Sequence, residues 1–77
     1  MDSADMVFYQ NENCLLVIRE GGNLTQLFTP FMVRVMIQLQ HIPAGSMVYV
    51  EAVIPHPKYL MCYYIQLRWY PYYYFMV

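Results

Sequence analysis

Residues 59–77 read YLMCYYIQLRWYPYYYFMV, and the period of that run decides how the chain folds. From 59 to 70 it alternates: Tyr59, Met61, Tyr63, Ile65, Leu67 and Trp69 fall on one face, and Leu60, Cys62, Tyr64, Gln66, Arg68 and Tyr70 on the other. A period of two is strand geometry, because successive side chains leave a pleated backbone on opposite sides. Pro71 cannot donate to a ladder, so it marks an edge, a bulge or a corner before a last run over 72–77.

The same pattern extends towards the N-terminus. Residues 47–54 set Val48, Val50, Ala52 and Ile54 against Met47, Tyr49, Glu51 and Val53. Between the two runs, Pro55-His56-Pro57-Lys58 reads as an extended or bent connection, since each proline removes a donor and biases its predecessor away from helix. Pro43-Ala44-Gly45-Ser46 reads as a turn. Residues 29–40 carry two patterns. Thr29-Pro30 resembles a helix N-cap followed by an N1 proline, and Arg34, Gln38 and His41 would share one helical face. Against this, Val33, Val35, Ile37 and Leu39 alternate with Arg34, Met36, Gln38 and Gln40, and β-branched residues favour strands. The strand reading is preferred, with a short helix within 29–41 as its alternative. At the start of the chain, residues 6–10 and 14–19 flank Asn11-Glu12-Asn13, a hairpin signature. Glu20-Gly21-Gly22-Asn23 supplies a second turn before 24–28.

Six or seven short runs so closely spaced leave no room for crossover helices, so the expected fold is all-β: an antiparallel meander. Closing it into a small, SH3-like barrel of five to seven strands would remove the apolar edges that an open sheet exposes. The chain has 77 residues, enough for one domain and too few for two. It is 60% hydrophobic and 12% charged, against about 45–50% and about 25% in an average domain. Such density supports a packed core and excludes disorder.

Net charge is −1, which provides no general attraction to polyanions. Cys14 and Cys62 are too few for a disulfide scaffold and lack CxxC spacing; they read as buried, reduced thiols. The opening MDSADM has no basic and apolar leader pattern, so the cytoplasm is the expected compartment and Asn23-Leu24-Thr25 a chance sequon. Arg34 interrupts the best apolar stretch, and Arg68 with Pro71 interrupts the tail, so no transmembrane helix is expected.

Catalysis needs a nucleophile, a base and an orienting group brought together. His41, His56, Glu20, Glu51 and the two cysteines are scattered singly. Cys62 lies in an apolar run that raises a thiol pKa and quiets it. No ligand spacing such as HxxxH points to a metal, and Gly21-Gly22 lacks the surroundings of a phosphate loop. The expectation is a protein that is not an enzyme and carries no cofactor.

The informative feature is the aromatic tail. The chain has nine Tyr, four Phe and one Trp, and they crowd after residue 62. Tyr72, Tyr73 and Tyr74 cannot all face one side of a strand, so some rings must point outward. Three outward rings of about 150–250 Å² each would expose about 450–750 Å², at or above the largest patch of a typical monomer. Arg68, Trp69, Tyr70, Tyr72, Tyr73 and Tyr74 are therefore the candidate partner-binding residues, of the types enriched at hot spots. The leading reading is a non-catalytic interaction module or small accessory subunit that binds another protein or itself as a homo-oligomer. A second reading is single-stranded nucleic-acid binding, with Trp69, Tyr70, Tyr72 and Tyr74 stacking and Arg34, Lys58 and Arg68 on phosphates. Four cations against five acids supply it poorly. Attachment to a membrane surface is a third, since Trp and Tyr favour the interface, but no basic cluster accompanies them.

Overall fold

The computed structural model describes residues 6–19 and 21–77. These form nine strands and one short 3-10 helix, arranged as three antiparallel sheets of three strands each. The chain is mainly β, as the alternation requires, with more and shorter strands than the five to seven expected.

The first sheet is a meander of β1 (Met6–Asn11), β2 (Cys14–Ile18) and β3 (Leu24–Phe28). Asn11 Oδ1 accepts the Asn13 amide at 2.8 Å and closes the first hairpin. The second closes through the Gly22 amide on the Arg19 carbonyl at 2.9 Å. Gly21 (φ 96°) and Gly22 (φ 89°) supply there the left-handed backbone that a Cβ would disfavour.

A cis Thr29–Pro30 bond leads into the second sheet, in which β4 (Phe31–Val35) lies between β5 (Met47–Val50) and β9 (Phe75–Met76). The strand expected over 29–40 stops at Val35, and the alternative helix within 29–41 does not form. Beyond Val35 the backbone finds other partners: the Met36 amide donates to the Tyr74 carbonyl at 2.8 Å, and the Gly45 amide to the Val35 carbonyl at 2.7 Å. The resulting loop tucks Leu39 and Ile42 into the core and leaves Ile37 exposed.

The third sheet is the meander β6 (Ala52–His56), β7 (Leu60–Ile65) and β8 (Arg68–Pro71). Three boundaries differ from the sequence reading. Residues 47–54 are not one strand: the chain passes from the second sheet to the third at Glu51, whose amide donates to the Tyr64 carbonyl at 2.9 Å. Pro55 and His56 belong to β6, and the turn is 57–59, held by His56 Nδ1 accepting the Lys58 and Tyr59 amides at 3.0 and 3.2 Å. Residues 59–70 are a hairpin, reversing at Gln66 (φ 50°) and Leu67 (φ 68°) in the geometry of a type I′ turn.

The three sheets surround one apolar core built from Leu15, the inward row Phe31, Val33 and Val35 of β4, Val48, Val50, Val53, Met61, Tyr63, Ile65 and Phe75. No polar or charged residue is buried among the described residues. Tyr63, 1% exposed, is its largest member. It meets Phe31 edge-on at 5.8 Å and Phe75 at 5.8 Å. The Val53 amide donates to the Glu12 carbonyl at 2.8 Å, tying the third sheet to the first hairpin.

Candidate functional site

The tail rings take three kinds of place. Arg68 and Trp69 stand on the β7–β8 hairpin. A two-residue turn pairs Ile65 with Arg68, Tyr64 with Trp69 and Tyr63 with Tyr70. Trp69 therefore shares the outer face with Tyr64, ring centroids 4.8 Å apart, and not the inner face with Tyr63 that an unbroken strand would give it. Trp69 is 45% exposed, and Arg68, paired with Ile65, is exposed but leaves the strand on the opposite side. Tyr70 turns inward and packs half-buried against Phe75, edge-on at 5.9 Å.

Tyr72, Tyr73 and Tyr74 form the 3-10 helix rather than the start of a strand over 72–77. Pro71 precedes it in an extended conformation, and the Phe75 amide closes it onto the Tyr72 carbonyl. At three residues per turn, consecutive side chains leave the axis in three directions. Tyr72 leans on Tyr63 at 6.5 Å, and Tyr74 lies against Phe75 at 6.3 Å. Tyr73 points outward, 54% exposed, meeting Tyr72 edge-on at 5.6 Å and Tyr74 edge-on at 5.5 Å. Its far side faces Tyr59 at 6.2 Å, which stacks on His56 at 4.7 Å and carries Lys58 Nζ at 5.4 Å from its ring centre.

Beside this ring string lies an apolar hollow of ≈ 380 Å³, lined by Val7, Met36, Tyr72, Tyr73, Phe75 and Val77 among others. A second hollow of ≈ 350 Å³ shares Val7 and Tyr72 with it and adds Met6, Phe8 and Leu60. The structure thus brings Tyr72 and Tyr73 of the predicted set into a groove. Arg68 and Trp69 line neither hollow, and Tyr70 and Tyr74 support the core. Val7, Met36, Tyr59 and Leu60 escaped the sequence reading. Only Tyr59 carried a signal, as an aromatic residue beside a proline-rich turn.

The electrostatics of the site are those of neutral phenols. Desolvation first, then the neighbouring Tyr74 and Tyr59, hold the Tyr73 hydroxyl above its ordinary range, with Lys58 opposing them. Burial, with a smaller contribution from Tyr72, pushes the Tyr63 phenol far up. Burial also raises the Cys62 thiol, which disfavours the nucleophilic thiolate. Cys14 and Cys62 are both buried and free. Among the described residues no three His, Cys, Asp or Glu side chains converge where a metal could sit, and no helix is long and apolar enough to cross a membrane. No protein-family model, curated protein or solved structure matched the chain.

Proposed function

We propose that the chain is a non-catalytic protein-interaction module, or small accessory subunit, that holds an apolar segment of a partner protein on its C-terminal aromatic surface and also self-associates. The observation that carries this reading is Tyr73: a ring 54% exposed, fixed edge-on between two others and set at the rim of a ≈ 380 Å³ apolar hollow. A held ring loses little freedom on binding, which is why rigid Tyr and Trp dominate hot spots. Trp69 on Tyr64 offers a second anchor on the outer face of the β7–β8 hairpin. Two further features belong to the proposal. The shared core, the bend at Glu51 and the bond from Val53 to Glu12 support a small-barrel arrangement of SH3-like kind, and the free thiols support a reducing, cytoplasmic setting.

Selection of a peptide library on the immobilised chain tests the reading. Enriched apolar peptides should bind Tyr73→Ala and Trp69→Ala at least about tenfold more weakly. Failure to enrich any peptide, or equal binding by both variants, would reject the aromatic surface as the site. The same chain titrated with labelled single-stranded oligonucleotide should show no binding that weakens with salt; such binding would favour the nucleic-acid reading instead.

A further inference from the structure

The central strand of the first sheet, CLLVI, is apolar at all five positions. A strand of that kind belongs in a sheet covered on both faces. One face of β2 has its cover: Leu15 joins the core, with Val7 and Leu27 of the flanking strands packed against it. By alternation the opposite face carries the cross-strand rows Met6, Ile18, Leu24 and Phe8, Leu16, Gln26, with Cys14 beside Phe28. Leu16 and Ile18 are half-buried in its centre. Met6 is 56% exposed, Phe8 42%, and Leu24 and Phe28 63% each.

Among the described residues no charge interrupts these rows. The outer face of the second sheet, which also shows Met32, Met47, Tyr49 and Met76, has Arg34 between Met47 and Met76. The glutamines at the end of this face bond to one another and to the thiol: Gln10 Oε1 accepts from Gln26 Nε2 and from Cys14 Sγ, each at 3.2 Å.

We propose that this face is covered by the same face of a second copy, two three-stranded sheets stacking into a sandwich. The inference rests on the self-association in the reading above and not on its aromatic surface. Among the described residues the face is uncharged, so two copies meet there without like charges opposed, and a two-fold pairing lets one patch serve both partners. Four half-exposed side chains and the two between them offer about 500 Å² per copy. The total of about 1,000 Å² meets the lower bound for a biological interface, at its weak end, and homodimer interfaces are more apolar than most. Stacked sheets of this kind pack about 10 Å apart with strands nearly aligned.

Gel filtration with multi-angle light scattering on the full chain tests this across a concentration series. The expected mass is twice that of the 9.3 kDa chain. Leu24→Lys with Phe28→Lys should weaken dimerisation at least about a hundredfold with an unchanged circular dichroism spectrum, because both positions are largely exposed. Trp69→Ala with Tyr73→Ala should remain dimeric. A wild-type monomer at every concentration, or a lysine variant that still dimerises, would overturn the inference. A dimer lost only in the Trp69 and Tyr73 variant would move self-association to the aromatic surface, overturning the inference while leaving the module reading intact. Should the lysine variant misfold, methyl resonances of the unmodified chain decide. On dilution, those of Met6, Leu16, Ile18 and Leu24 should shift; shifts confined to Met32, Met47 and Met76, or none at all, count against it.

Discussion

The first and third sheets are both three-stranded meanders around an apolar central strand, yet they solve two problems differently. β7 sets Tyr63 against the core and Phe75 on its inner face, and on its outer face Tyr64 has Trp69 as a ring neighbour across the strands while Leu60 stays 65% exposed. β2 has the core on one face and exposed neighbours on the other. The turns differ too. The first sheet reverses through Asn11 and a double glycine, the third through Leu60 (φ 75°), Gln66 and Leu67, residues for which a left-handed backbone is unfavourable. The sheet whose central strand carries ring-to-ring contacts holds the left-handed non-glycine residues, and the sheet without them turns through asparagine and glycine.

The largest test of this contrast is Tyr63→Ala, which should cost about 3–5 kcal/mol in urea unfolding, as removal of a buried ring does. Leu16→Ala, the half-buried counterpart in β2, should cost much less in a dilute monomer. Equal losses would show that the two central strands are alike after all.

The alkaline limb sharpens the same point. The Tyr63 phenol is held protonated in the fold far above its ordinary value of 10.0. Its contribution to stability is therefore full below pH 10 and is lost as pH rises above it, by about 1.4 kcal/mol per unit until the folded form also ionises. Urea midpoints measured above pH 10 should fall in the wild type and flatten in Tyr63→Phe.

Turn substitutions come next in size. Gly22→Ala should destabilise by about 1–2 kcal/mol through backbone strain alone, since nothing lies within 4 Å of the added Cβ. Leu67→Gly should do the reverse, raising stability by about 0.5–1 kcal/mol, because Leu67 is 82% exposed and its side chain contributes little. A loss on Leu67→Gly would mean that this turn is held by side-chain packing rather than tolerated in spite of its backbone.

Period and composition made the class of fold readable, since alternation survives in every strand of the core: Phe31, Val33 and Val35, Val48 and Val50, Met61, Tyr63 and Ile65. The breaks were unreadable wherever ordinary turn chemistry was missing. Gln66-Leu67 carries no glycine or asparagine, so the hairpin inside 59–70 was invisible and Trp69 was placed on the wrong face. Glu51 sits in an unbroken alternation, and only its hydrogen bond to the neighbouring sheet shows that the chain changes ladders there. The candidate site was legible as a composition and not as a surface. The tail announced its excess of rings, but which of three consecutive tyrosines turns outward depends on the 3-10 geometry after Pro71. The contributions of Val7, Met36 and Leu60 to the groove depend on tertiary packing, which a local pattern does not encode.

Because the β7–β8 reversal spans two residues, it acts as a parity device for everything downstream. A slip of the Ile65–Arg68 pairing by a single residue would exchange the destinations of Trp69 and Tyr70, sending the indole inward and the phenol out to solvent. The orientation of the whole tail is thus set by Gln66 and Leu67, neither of which is aromatic or buried.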